Sequence, residues 1–265
     1  MREITELNEL KKIELEIMKK IHLFCDENQI EYYLAYGSLI GAVRHGGFIP
    51  WDDDIDIFMT RENYDLFLQK FPFVENNFGL KIVNHLTKPY YGRNLTKVID
   101  TATVLIEPQY KTDDPIGVFV DIWPLDGLPN NAVHRWLYIK KSIIMKKMIL
   151  ASSMKYNCNY SLTKKVFIMI GQLFKAEKLV KHMDKIARKY DFNESNYVQC
   201  YPAKHVLYKR EYFKGRFLIN FEDTSFYAPQ NYDNILTAEY GNYMELPPKE
   251  MQLPHHVMNT YYKDD

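Results

Sequence analysis

Residues 37–58 read GSLIGAVRHGGFIPWDDDIDIF, and this stretch decides the fold. LIGAVRH fits one or two helical turns, and GGFIPW cannot continue them because Gly-Gly and Pro break a helix. DDIDIFM then alternates acid and apolar residues, the period-two pattern of a half-buried strand. On such a strand Asp54 and Asp56 share one face, while Ile55 and Ile57 anchor the other. Asp52 continues the acidic face if the strand starts that early. Like-facing residues lie about 6.6 Å apart along a strand.

Carboxylates gathered this closely repel one another and need a shared proton or a metal. Mg²⁺ suits an all-oxygen site of one or two carboxylates plus substrate phosphates. The proposed gain is an acidic strand that carries Mg²⁺ to a phosphate. VFVDIW supplies a third acid, Asp121, between apolar Val120 and Ile122. Gly37-Ser38 can approach a phosphate closely, since Gly lacks a side chain and Ser offers a hydroxyl. Arg44, His45 and Lys97 are candidates for neutralising phosphate charge. Tyr36, Trp51 and Trp123 can stack a base or cage a quaternary ammonium. Each of these has an ordinary alternative. DDDID can be a solvated turn or a calcium loop, although the EF-hand pattern is absent. Lys97 can be a surface residue, and the two tryptophans can be core. His255-His256 has no partner at metal-ligand spacing, so a solvated or capping role is expected.

Working outward, residues 3–29 carry Ile4, Leu7, Leu10, Leu15, Met18, Ile21 and Phe24 at helical spacing. YYLAYGS reads as a short strand ending in Gly-Ser. RENYDLFLQKF reads as a helix and LKIVNHL as a strand. GRNLTKVIDTATVLIE gives two strands joined near Asp100. GVFVDIWPLDGLP gives another, stopped by Pro124 and the turn Asp126-Gly127. From about residue 131 the character changes. HRWLYIKKSIIMKKMILAS and KKVFIMIGQLFKAEKLVKHMDKIARKY are long, basic and helical, and the tail from about residue 205 is rich in aromatics and prolines. The expected class is α+β: a mixed sheet flanked by helices, with a helical C-terminal addition. The expected division is a catalytic core with its N-terminal helix at 1–130. A helical and aromatic-rich part at 131–265 packs on it.

Apolar residues make up 46% and aromatics 15% of the 265, as in a globular chain. Lys plus Arg and Asp plus Glu both count 34, which argues against a grip on long nucleic acid. Cys25, Cys158 and Cys200 are far apart and odd in number, unlike a disulfide framework or a zinc ribbon. The first residues lack a signal peptide's apolar block, and no apolar run reaches the length of a membrane span. The expectation is a soluble, cytoplasmic protein. For the two basic helices, plain packing with lysines on the wet side is expected. Peripheral contact with anionic lipid at the inner face of a membrane is the alternative.

GSLIGAVRHGGFIPWDDDIDIF followed by VFVDIWPLDGLP resembles the LicD/fukutin family of phosphotransferases. The tail YFKGRFLINFEDTSFYAPQNYDNILTAEYGNYMELPP resembles that family's C-terminal segment, through its Ala-Pro, Tyr-Gly and Leu-Pro-Pro landmarks. The resemblance runs from about residue 30 to 250, with little of it in the helical middle. It implies a nucleotidyltransferase-like core, here Gly37-Ser38, Asp54-Ile55-Asp56 and Asp121. It also implies transfer of phosphocholine from CDP-choline to a sugar hydroxyl of a cell-surface glycan, with release of CMP. The acceptor would be teichoic acid, lipopolysaccharide or a lipid-linked precursor. Alternatives are another CDP-alcohol such as CDP-ribitol, or an NTP-using nucleotidyltransferase. Under this resemblance Asp54 and Asp56 hold Mg²⁺, and Asp121 completes the metal site or acts as base. Ser38 grips phosphate, and Lys97 and Arg44 offset charge on the leaving CMP. Asp52, Asp53 and Asp126 are candidates for the choline head or for stabilising the site. Relatives often place an Arg after Leu-Pro-Pro and before a His. PPKEMQLPHH has none, so that role does not carry over.

Overall fold

A computed structural model describes the chain except residues 77, 89–94, 109, 111–114, 158, 201–205, 255–258 and 265. Cys158 and His255-His256 therefore lie outside the described residues. The first half contains β1 (Arg2–Glu3), α1 (Leu7–Glu27), β2 (Tyr33–Leu34), α2 (Tyr36–His45) and β3 (Ile55–Thr60). Then come α3 (Arg61–Lys70), β4 (Leu80–Val83), β5 (Thr96–Asp100), β6 (Thr103–Ile106) and β7 (Phe119–Gly127). The second half adds α4 (Ala132–Ser153), α5 (Leu162–Gly171), α6 (Ala176–Ala187), β8 (Tyr197–Cys200) and β9 (Tyr208–Lys209). It closes with β10 (Arg216–Phe221), β11 (Thr224–Pro229), α7 (Tyr232–Tyr240) and β12 (Asn259–Tyr262).

The central mixed sheet runs β2-β3-β7-β5-β4, with β8 beside the far end of β7 and β9 beside β8. β3 and β7 are parallel, and the other pairings are antiparallel. Residues beyond 131 thus supply β8 and β9 to the same sheet as β3 and β7. One face of the sheet is apolar at Ile55, Ile57, Val120, Ile122 and Val98, all buried. Thr96, paired with Ile122, shares that face and meets the Tyr64 hydroxyl of α3 at 2.6 Å. Alternation then sends Asp56 and Asp121 to the opposite face.

Several boundaries differ from the sequence expectation. The first helix starts at Leu7 because Arg2 and Glu3 pair with Tyr262 and Tyr261 of β12, and β12 in turn pairs with β6. Gly37 and Ser38 lie in the first turn of α2 rather than at a strand end. Helix α2 stops at Gly46, whose φ of 69° is left-handed backbone that glycine adopts readily. Pro124 does not stop β7. Ile122 is the last β7 residue paired with β5, and Leu125 is the first paired with β8. Pro124 falls in that gap, where the ladder on one side lacks a partner for the N–H that proline does not have. The second long basic helix is two, α5 and α6. Gly171 packs so close to Ala151 that a Cβ there would come within 2.4 Å of the Ala151 Cβ, and α5 ends at that contact.

Candidate active site

Register places three charged residues in one row across three strands. Asp56 of β3 pairs with Asp121 of β7, and Asp121 pairs with Lys97 of β5. Directly paired residues share a face, so all three side chains stand on the side opposite α3. Lys97 is fully buried, donates to Asp121 Oδ1 at 2.7 Å, and lies 3.0 Å from the Phe119 ring centroid. Trp123, two residues along the same face, donates its Nε1–H to Asp56 Oδ1 at 2.6 Å. The Trp123 ring meets Tyr36 edge-on, with centroids 5.9 Å apart. The Asp56 backbone is held as well: its N–H donates to Ser38 Oγ at 2.9 Å, and its carbonyl accepts from Ala35 N–H at 2.9 Å. Burial, then the fields of Asp54 and Asp121, push the Asp56 carboxyl well above the usual range; the Trp123 hydrogen bond opposes this.

The other acids stand in the loop before β3. Carboxylate oxygens of Asp52, Asp53 and Asp54 come within 4.8 Å of one another. β3 begins at Ile55, so Asp54 precedes the strand and does not reach Asp56's neighbourhood by strand alternation. Its field is nonetheless the largest charge acting on Asp56. Gly37 makes room for this loop, because a Cβ there would lie 2.2 Å from Asp52 Oδ2. Gly41 does the same for the chain reversal, with Gly47 O 2.3 Å from its would-be Cβ. Glu222, at the β10–β11 turn, accepts from Phe48 N–H at 3.0 Å.

Two residues of α1 bear on the loop, and neither is marked in the sequence. Lys11 donates to the carbonyls of Ile49 and Pro50 at 2.9 and 3.0 Å. Glu14, one turn on, is buried, and its Oε2 has no hydrogen-bond partner among the described residues. Burial first, then Asp54, Asp53 and Asp52, push its carboxyl well above the usual range. In ELKKIELE both look like solvent-facing charges, and only the tertiary contact distinguishes them. Tyr240 of α7 was also missed. Burial, then Glu239, Asp56, Asp52 and Asp54, push its phenol up.

The structure therefore groups Gly37, Ser38, Asp52, Asp53, Asp54, Asp56, Lys97, Asp121 and Trp123. It does not bring Asp126 to them. Asp126 lies on the α3 face of β7, where Arg61 forks onto its two oxygens at 2.7 and 2.6 Å. Arg44, in the last turn of α2, donates to the carbonyls of Tyr243 and Glu245 at 2.8 and 3.3 Å. It fastens the C-terminal segment to α2. His45 lies edge-on to Trp51, with centroids 6.4 Å apart.

An all-oxygen cluster of carboxylates fits a hard dication better than a soft one. Asp56 and Asp121 in register, with Asp54 near, could hold it.

Residues 29–159 match the family described as LicD/FKTN/FKRP, nucleotidyltransferase domain. The chain is 29% identical to the lipopolysaccharide cholinephosphotransferase LicD of Haemophilus influenzae, over 98% of this chain and 99% of that one. A shorter match, 57% identical over 28 residues, links it to the human ribitol 5-phosphate transferase FKRP; it covers 11% of this chain and 6% of that one.

Proposed function

We propose a specific transfer from one premise: the chain belongs to the LicD/fukutin family and is a phosphotransferase enzyme. The proposed reaction moves phosphocholine from CDP-choline to a sugar hydroxyl of a cell-surface glycan or its lipid-linked precursor. The acceptor oxygen attacks the phosphorus that bears choline, the pyrophosphate P–O bond breaks, CMP leaves, and the acceptor's proton is lost. The row Asp56–Asp121–Lys97 beside Trp123 carries this reading.

Asp54, Asp56 and Asp121 would hold Mg²⁺, which when bound neutralises charge on the pyrophosphate. Lys97 donates to Asp121 Oδ1 at 2.7 Å and so fixes how that carboxylate is presented, whether as ligand or as base. Ser38 fixes Asp56 through its backbone and keeps its own hydroxyl proton for a phosphate oxygen. Trp123, hydrogen-bonded to Asp56 and edge-on to Tyr36, would offer an aromatic surface to a quaternary ammonium, with Asp52 and Asp53 as candidate counter-charges. The full-length match to a cholinephosphotransferase supports choline. The short match to a ribitol 5-phosphate transferase keeps CDP-ribitol as the second reading. The reading places the enzyme in the cytoplasm, where a free thiol such as that of buried Cys25 persists.

CMP release in Mg²⁺, with lipopolysaccharide or teichoic acid preparations as acceptor, tests this. CDP-choline should outpace CDP-ribitol by about tenfold or more. Faster turnover of CDP-ribitol, or of an NTP, overturns the choline assignment. Gly37→Ala is expected to change the melting temperature little, because the group it displaces is the end of the Asp52 side chain. Moving that carboxylate should lower CMP release by about a hundredfold. Unchanged turnover would mean that the position of Asp52 does not matter to the reaction.

A further inference from the structure

Helices α4 and α5 turn apolar side chains outward. Along α5, Leu162, Val166 and Met169 recur at helical spacing, Leu173 follows in the turn just after it, and Leu162 and Leu173 are 77% and 81% exposed. Within α5 only Ile168 and Gly171 are buried. On neighbouring α4, Trp136 and Ile144 are 58% and 60% exposed. Lys140, Lys141 and Lys147 stand exposed between and beyond them at the same spacing. Scattered exposed leucines are ordinary, but stripes on two adjoining helices mark a contact surface. Plain packing with lysines alone on the wet side does not describe α5, whose apolar side is itself wet.

Charge narrows the partner. From Ala132 to Lys175 every residue charged at neutral pH is Arg or Lys, in a chain whose totals balance at 34 each. Lysines interleave with Trp136, Leu137 and Ile144 along one helix face. A partner for that face must be anionic at its surface and apolar just beneath it. A bilayer of anionic lipid has that layering: lysine stems lie along the apolar zone with their ammonium groups at the phosphates, and tryptophan prefers the boundary. No described helix is long and apolar enough to cross a membrane.

We infer that the exposed face of α4 and α5 docks on the surface of an anionic lipid bilayer, lying in its interface. The inference concerns this surface alone and does not depend on the donor reading.

Flotation of the whole protein with vesicles of phosphatidylcholine, with and without phosphatidylglycerol, tests it. The protein should float with the anionic vesicles and stay behind with the neutral ones. Trp136 emission should shift to the blue only with the anionic set. Lys140→Glu with Lys147→Glu should cut partitioning by about twentyfold or more. Ile170→Ser with Leu173→Ser should cut it by at least about tenfold. All four positions are exposed, so both variants should melt like the parent. Failure to float with anionic vesicles, equal flotation with both kinds, or full retention by the serine variant overturns the inference. So does a dimer that the serine variant dissociates without any vesicle binding, because a second copy would then cover the face.

Discussion

Asp56→Asn should abolish turnover and raise the melting temperature of the metal-free protein. Asp56 is buried beside Asp121, within the field of Asp54, and its carboxyl is held well above the usual range. The folded state therefore binds this proton more tightly than the unfolded state does. Stability of the metal-free protein falls as pH rises from the ordinary carboxylate range toward that higher value. Asparagine removes the charge and keeps an oxygen for the Trp123 Nε1–H. The expected gain at neutral pH is about 1 kcal/mol, or about 2–4 °C. Turnover should fall at least about a hundredfold. Thermal melts in EDTA and CMP release in Mg²⁺ read the two effects separately. A lower melting temperature with intact turnover would show that Asp56 is an ordinary structural acid.

Lys97→Met should have the largest effect on stability. The lysine is fully buried, bound to Asp121 and seated on Phe119, so its loss strands a buried carboxylate. Breaking one side of a buried pair costs about 3–5 kcal/mol, against near neutrality when both sides become uncharged. The melting temperature should drop by about 6–20 °C. Adding Asp121→Asn to Lys97→Met should recover most of the loss without restoring turnover. Mg²⁺ should also stabilise Lys97→Met more than the parent if Asp121 is a ligand. Equal response to Mg²⁺ would favour the role of Asp121 as a base.

What the sequence reveals is local. The alternation in DDIDIF predicts β3, and VFVDIW predicts the strand that pairs with it, because half-buried strands write their faces into a period of two. Asp56 and Asp121 could therefore be placed on the open faces of two strands in advance, while their register shows only in the structure. The alternation reads Asp54 as a strand residue on Asp56's face, yet β3 begins only at Ile55, because the acids at 52–54 continue the pattern past the point where the ladder ends. Asp126 reads from the sequence as a turn residue and a candidate for the choline head or for stabilising the site. It lies on the other face, satisfied by Arg61 from α3, and that depends on which helix covers which side. Lys11 and Glu14 sit among other Lys and Glu of α1 and are marked only by their contact with a loop about forty residues on. Pro124 misled because a proline ends a strand only where a partner needs its N–H, and here the neighbouring strand changes at that point.

Calorimetric titration with CDP-choline in the presence of Mg²⁺ tests the central claim most directly, since donor binding needs no acceptor. The account predicts saturable binding that disappears with EDTA and with Asp56→Asn. Binding that survives EDTA undiminished, or preference for an NTP in a well-folded sample, would contradict it.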